Sequence, residues 1–130
     1  MLPSLSFPFT PIELNGKIIF RPILQVILSN DQKKFPTGIL VDSGADYSIL
    51  QREIAEYGLN MDISKLEKIG STCGIAGRTD VALINLDMKF GTGRYIYTEK
   101  IPFRVSLDET KDPPISLLGR DPFFYKYRVD

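Results

Sequence analysis

A carboxylate directly follows one of the most apolar segments of the chain. Residues Ile39-Leu40-Val41 predict a buried strand, and positions 42–45 then read Asp-Ser-Gly-Ala. Aspartate is depleted from strands, and a charge there is unfavourable unless a hydroxyl or backbone N–H groups bind it. This placement suits a carboxylate with a chemical role, although Asp, Ser and Gly are also common turn residues. The tetrapeptide alone leaves both interpretations open, an acid–base site or an ordinary turn.

A second motif of the same form lies near the end of the chain. Residues 115–121 read Ile-Ser-Leu-Leu-Gly-Arg-Asp, which is another apolar strand that ends in glycine. Between the two motifs, residues 73–77 read Cys-Gly-Ile-Ala-Gly and have strand-like flanks. The glycines predict a small, flexible tip there, and an ordinary hairpin turn would give the same pattern.

This order of motifs resembles that of the retropepsin-like aspartic proteases, the family of the retroviral proteases and their cellular relatives. The family order is two apolar residues before Asp-Ser/Thr-Gly-Ala, then a glycine-rich flap, then two apolar residues before Gly-Arg-Asp/Asn. The resemblance covers roughly residues 23–124, and its first and last motifs are more specific than its flap. It implies a mostly β fold, a closed retropepsin-like barrel with one or two short helices.

The resemblance also implies a role for each matching residue. Asp42 matches the catalytic aspartate, and Asp46 and Arg120 match a charged pair that supports the active-site turn without taking part in catalysis. The other matching positions support the turn or bind substrate: Ser43, Gly44, Ala45, Gly74, Ile75, Ala76 and Gly77. Among these, the hydroxyl of Ser43 would link two active-site turns, and the segment from Gly74 to Gly77 would cover the substrate.

The chain contains a single Asp-Ser-Gly, whereas hydrolysis by a water molecule held between two carboxyls needs two of them. The second carboxyl therefore has to come from another copy, related by a two-fold axis. Two like charges about 3 Å apart cannot both ionise, so the pair would share one proton. With 130 residues, the chain is too short for two lobes. We expect a homodimeric aspartic endopeptidase, with a single domain over residues 1–130 that begins with an extended arm at 1–15.

Composition excludes several other classes of protein. There is no histidine, which removes Ser-His-Asp and Cys-His catalysis and histidine-containing zinc sites. The lone Cys73 can form neither an internal disulfide nor a cysteine cage, and it suits a reducing compartment. Sixteen basic residues balance sixteen acidic ones without a basic patch, and no uncharged run approaches the roughly 18 residues of a membrane span. We expect the protein to use no cofactor or metal and to bind neither nucleic acid nor a membrane. We expect it to act on a peptide or protein substrate in the cytoplasm.

Strands dominate the pattern of the elements. They are predicted over 16–28 with a possible break at Pro22, and around 39–41, 69–73, 78–90, 95–106 and 116–118. Ser48 and Gln51 form a capping box that predicts one helix over 49–57. Residues 124–129 alternate like a strand but have no strand after them, which leaves open how a dimer would close.

Two other functions fit the same residues. A retropepsin-like domain that serves as a dimeric binding or assembly module, without catalysis, would contain the same strands and the same Asp42. Only activity separates the two. A phosphorylation-dependent recognition segment around Asp42 and Ser48 would need exposed, flexible chain, whereas this segment follows a buried strand.

Overall fold

The chain folds mainly into β-strands, as its β-branched and aromatic segments predict. The computed structural model describes residues 4–5, 10–74 and 77–129. The strands are β1 (Ser4–Leu5), β2 (Thr10–Leu14), β3 (Lys17–Arg21), β4 (Ile23–Ser29), β5 (Lys34–Val41), β6 (Ser48–Leu50), β7 (Lys68–Gly74), β8 (Gly77–Thr92), β9 (Tyr95–Ser106), β10 (Leu117–Leu118) and β11 (Arg128–Val129). The helices are single turns: a π-helix at Ile54–Gly58, 3₁₀ turns at Ile63–Lys65 and Glu109–Lys111, and the α-helix α1 at Phe123–Lys126. Strands form over most of each segment predicted between residues 16 and 118, and Pro22 separates β3 from β4.

The main sheet closes on itself. Its strand order is β4-β5-β10-β6-β9-β8-β7, and β4 also pairs with β8. The β4–β5 and β8–β9 pairs are antiparallel hairpins, whereas β10 lies between β5 and β6, parallel to the first and antiparallel to the second. Because β10 is inserted next to β5, the ends of the two sequence motifs lie side by side.

The hydrophobic core lies inside this closed sheet. Along β8 and β9, buried apolar residues alternate with more exposed ones, which is the period of a strand with one buried face. The largest fully buried side chains are Phe103, Phe123, Leu28, Ile39, Leu50, Leu59, Leu86, Met88, Ile101, Leu118, Val81 and Val105. Each such side chain stabilises the fold by about 1.5–3 kcal/mol relative to full exposure, so the core holds the strand ends that carry the candidate site.

The helix predicted over 49–57 is shorter and starts later than expected. Ser48–Leu50 forms β6, which pairs with β10 and β9, and helical residues begin only at Arg52. The prediction was wrong because the apolar residues 49 and 50 are taken up by sheet pairing, which a local capping pattern cannot reveal. Ser48 is fully buried in the sheet and does not cap a helix.

A distant side chain caps this helix instead of Ser48. The carboxylate of Asp112 accepts hydrogen bonds from the backbone N–H of Arg52 at 2.7 Å and of Glu53 at 3.5 Å. A carboxylate there satisfies N–H groups that have no partner within the helix, and its charge is favourable at the helix start. The cap therefore ties the helix to the loop that leads into β10.

The strand predicted over residues 124–129 is also wrong for most of its length, because α1 occupies Phe123–Lys126 and only Arg128–Val129 is extended. Phe123 and Tyr127 are four residues apart and stack with their ring centroids separated by 5.1 Å, which places them on one helical face. The Tyr127 hydroxyl donates a hydrogen bond to Oε1 of Glu99 at 2.6 Å. Burial and this hydrogen bond raise the pKa of Tyr127 above its ordinary value, so the phenol stays protonated.

Part of the predicted N-terminal arm is paired with other strands. β2 forms a hairpin with β3, and the short β1 pairs in parallel with β11. Residues 1–3 and 6–9 of the arm lie outside the described residues. Of the helices that the structure describes, none has the length and apolar character needed to cross a bilayer.

Candidate active site

The candidate site lies where β5 and β10 end next to each other. In their register, Leu40 is the partner of Leu117 and Val41 is the partner of Leu118. Beyond this pair, the backbone N–H of Asp42 donates to the Leu118 carbonyl at 3.0 Å. The fold therefore brings the first and last sequence motifs together at one edge of the barrel.

The turn after β5 wraps around the Asp42 carboxylate. Oδ1 of Asp42 accepts a hydrogen bond from the backbone N–H of Gly44 at 2.9 Å, and the N–H of Ala45 donates to the Asp42 carbonyl at 3.2 Å. A Cβ at Gly44 would lie 3.2 Å from Oδ1, so glycine leaves room for this contact. Within the described parts of the chain, Oδ2 accepts no hydrogen bond, and Asp42 is only partly buried. One carboxylate oxygen is thus held in place while the other can bind a water molecule.

The predicted ion pair between Asp46 and Arg120 is present, between Oδ1 and a guanidinium nitrogen. Both side chains are well exposed, at 65 % and 50 % of their surface. The backbone also joins the two loops, because the N–H of Arg120 donates to the Ala45 carbonyl at 2.9 Å and that of Asp121 to the Asp46 carbonyl at 3.0 Å. The turn therefore has backbone support that does not depend on the charges.

Because the pair is exposed, Arg120→Ala is expected to lower the free energy of unfolding by only about 0–1 kcal/mol. Chemical denaturation of Arg120→Ala, Asp46→Asn and the double variant gives the coupling between the two charges directly. A loss of about 3 kcal/mol or more would show that the pair is buried in solution, as a subunit interface over it would cause.

Two buried serine hydroxyls join the loops, a role that was not predicted from the sequence. Oγ of Ser48 accepts a hydrogen bond from the N–H of Gly119 at 3.1 Å, and Oγ of Ser116 accepts one from the N–H of Gln51 at 3.0 Å. Both serines are fully buried. A signal was available, because Ser48 is two residues before Leu50 and therefore shares its inward face, where a hydroxyl needs a partner.

The predicted flap is a hairpin in its described part. Strands β7 and β8 pair through Cys73 with Arg78 and through Gly74 with Gly77. Ile75 and Ala76, in the middle of the tip predicted over residues 73–77, lie outside the described residues. Of the turn residues, Ser43 and Gly44 are exposed and Ala45 is partly buried. Their contacts with substrate remain predictions.

The comparisons with solved structures agree with this geometry. The chain is similar to a retropepsin-like aspartic protease from Rickettsia conorii, with a TM-score of 0.53 and 27% identity over 76% of this chain and 73% of that one. It is also similar to the EIAV protease in complex with the inhibitor HBY-793, with a TM-score of 0.50 and 23% identity over 88% of this chain and 93% of that one. No protein-family model and no curated protein sequence matches the chain. The fold is retropepsin-like, which confirms the predicted fold class.

Proposed function

We propose that the chain is an aspartic endopeptidase that acts as a symmetric homodimer, with Asp42 of each copy as the catalytic pair. The observation that supports this most strongly is the Asp42 carboxylate, which is held by the Gly44 N–H at the end of β5, beside β10. The retropepsin-like fold around it is shared with the retropepsin-like aspartic protease and the EIAV protease of the comparison. We extend the proposal to a single domain over residues 1–130, located in the cytoplasm because its one cysteine suits a reducing compartment.

In the proposed reaction, a water molecule lies between the two Asp42 carboxyls. The ionised carboxyl takes a proton from the water, whose oxygen forms a bond to the peptide carbonyl carbon, while the protonated carboxyl gives its proton to the carbonyl oxygen. The carboxyl that took the water proton then gives it to the amide nitrogen as the C–N bond breaks, and a hydroxyl of the tetrahedral intermediate returns a proton to the other carboxylate. The products are a carboxylic acid and an amine, and the pair again holds one proton. Ser43 and Gly44 support the two turns, Gly44 and Ala45 border the substrate, and the segment from Gly74 to Gly77 covers it. The reaction needs no cofactor.

The first test measures the mass of the assembly in solution together with the binding of a transition-state analogue. Sedimentation is expected to show a dimer, because one Asp-Ser-Gly per chain gives half of a catalytic pair, and an obligate interface buries about 2,000 Å² or more. An inhibitor of the pepstatin type is expected to bind with one molecule per dimer. Only monomer at concentrations on the order of tens of micromolar would contradict the dimer.

The alternative of a binding or assembly module has its own outcome in the same experiment. A dimer that neither binds the inhibitor nor cleaves a peptide library between acidic and neutral pH would favour the module. Cleavage of the library supports the enzyme.

A further inference from the structure

A row of side chains crosses the main sheet beside Asp42, on the face opposite the core. The strand register makes its members direct neighbours from β5 through β10, β6 and β9 to β8: Leu40, Leu117, Ile49, Arg104 and Leu83. Directly paired residues point to the same side of a sheet. The residues next to them in sequence, such as Leu118 and Phe103, are fully buried in the core, so the row faces away from it.

This row is mostly apolar and accessible. Leu83 is 42% exposed, and Leu40, Leu117 and Ile49 are partly buried. Leu40 is two residues before Asp42, which puts this end of the row beside the carboxylate. An extended peptide bound to Asp42 would therefore lie along an apolar surface.

Arg104, the fourth residue of the row, gives the part far from Asp42 a positive charge. Tyr47 is two residues before Ile49 and shares its face, and the residue is 46% exposed. The guanidinium carbon of Arg104 lies over this ring, 3.7 Å from the centroid. Such a cation–π contact fixes the position of the guanidinium and leaves the N–H donors along its edge available.

The charge of Arg104 is not neutralised by its neighbours. Among the described residues, no carboxylate pairs with Arg104, and the nearby Asp46 is already paired with Arg120. The Arg104 guanidinium is partly buried and fixed in position, and it makes no hydrogen bond to the residues that the structure describes. It therefore matches a carboxylate in charge and in geometry.

We propose that the Tyr47–Arg104 pair is a specificity site that binds an acidic side chain of the peptide substrate. This inference rests on the proposed function and narrows its substrate class to peptides with apolar residues near the cleaved bond and Asp or Glu further along. Arg104 lies three strands from Leu40, about 14 Å at the usual strand spacing, and an extended peptide covers that distance with about four residues. The acidic residue is therefore expected within about four positions of the cleaved bond.

The test measures binding to Asp42→Asn, so that it does not depend on cleavage. Matched peptides of apolar sequence carry one Glu, Gln or Lys at successive positions, and their affinities are compared by fluorescence anisotropy. The Glu peptide at one position is expected to bind about 10-fold more tightly than its Gln match. Adding Arg104→Glu is expected to reverse the preference in favour of Lys.

A matched control makes the same charge change elsewhere. Arg94 is exposed in the turn between β8 and β9, so Arg94→Glu is expected to leave the Glu preference unchanged. If Arg104→Glu does not fold, Arg104→Gln removes the charge at similar size and is expected to bring the Glu and Gln affinities together.

The outcomes separate this inference from the proposed function. Equal binding of Glu and Gln peptides, no binding of either, or a Glu preference that survives both Arg104 variants overturns the inference, even where the parent cleaves peptides. A Glu preference that depends on Arg104, in a parent that cleaves nothing, supports the site and contradicts the protease.

Discussion

Replacing Gly119 by alanine is expected to lower the free energy of unfolding by about 2–3 kcal/mol or more. A Cβ at this position would lie 2.5 Å from the carbonyl carbon of Tyr47 and nearer still to its oxygen, and both are backbone atoms. The backbone there is also fixed, because the Gly119 N–H donates to buried Ser48 and because Tyr47 bridges to Asp121. The loop has to move as a whole, since no flexible side chain can give way.

Gly70→Ala is the matched control for Gly119→Ala. A Cβ at Gly70 would meet nothing within 4 Å, and its backbone is not left-handed. This variant is expected to change the free energy of unfolding by less than about 0.5 kcal/mol. Chemical denaturation measures the free energy of unfolding of both variants. If both lose the same amount, the close approach of Gly119 to Tyr47 does not determine stability.

The local sequence pattern was sufficient to predict most of the strands. Residues 84–90 and 101–106 alternate apolar residues with polar residues or proline, and this signal does not depend on the rest of the fold. Pro22 marked a break because it has no N–H for strand pairing. The position of β10 between β5 and β6 could not be derived this way. Its pairing joins residues far apart in sequence, which local periodicity does not encode.

The two wrong elements have a common physical cause. Residues 49–50 carry a helical capping signal but pair within the sheet, and residues 124–126 alternate like a strand but form a helix whose aromatic face packs on Phe90. In both segments the signal is short, and tertiary contacts outweigh local preference. The local sequence pattern therefore predicts secondary structure least well in short elements.

The residues of the candidate site also differ in whether a local sequence pattern predicts them. Asp42 and the Asp46–Arg120 pair belong to compact motifs, and the structure brings them together as expected. The Tyr47–Arg104 contact was missed because it depends on the register of β6 against β9, to which neither residue contributes a local signal. Residues that act through a motif can be found from sequence, whereas those that act through register require the structure.

Asp42→Asn is expected to reduce peptide cleavage by about 10³-fold or more, because general acid–base groups contribute about 10²–10⁴-fold and this change removes the base and the acid together. Asparagine keeps the size of the side chain, and its oxygen can still accept the Gly44 N–H, so the fold is expected to persist. In the proposed dimer, the change also removes like-charge repulsion between the two copies of this side chain. The variant is therefore expected to be at least as stable and as dimeric as the parent at neutral pH.

A matched control completes this test. Asp31→Asn makes the same chemical change in the exposed turn between β4 and β5 and is expected to retain full activity. Cleavage that persists in Asp42→Asn at the parent's rate would exclude the aspartic mechanism. Absence of cleavage in both parent and variant, with the dimer intact, would favour the assembly module, in which Asp42 is part of the assembly surface. In that case Asp42→Asn would still relieve the repulsion between the two carboxylates, but there would be no activity for it to remove.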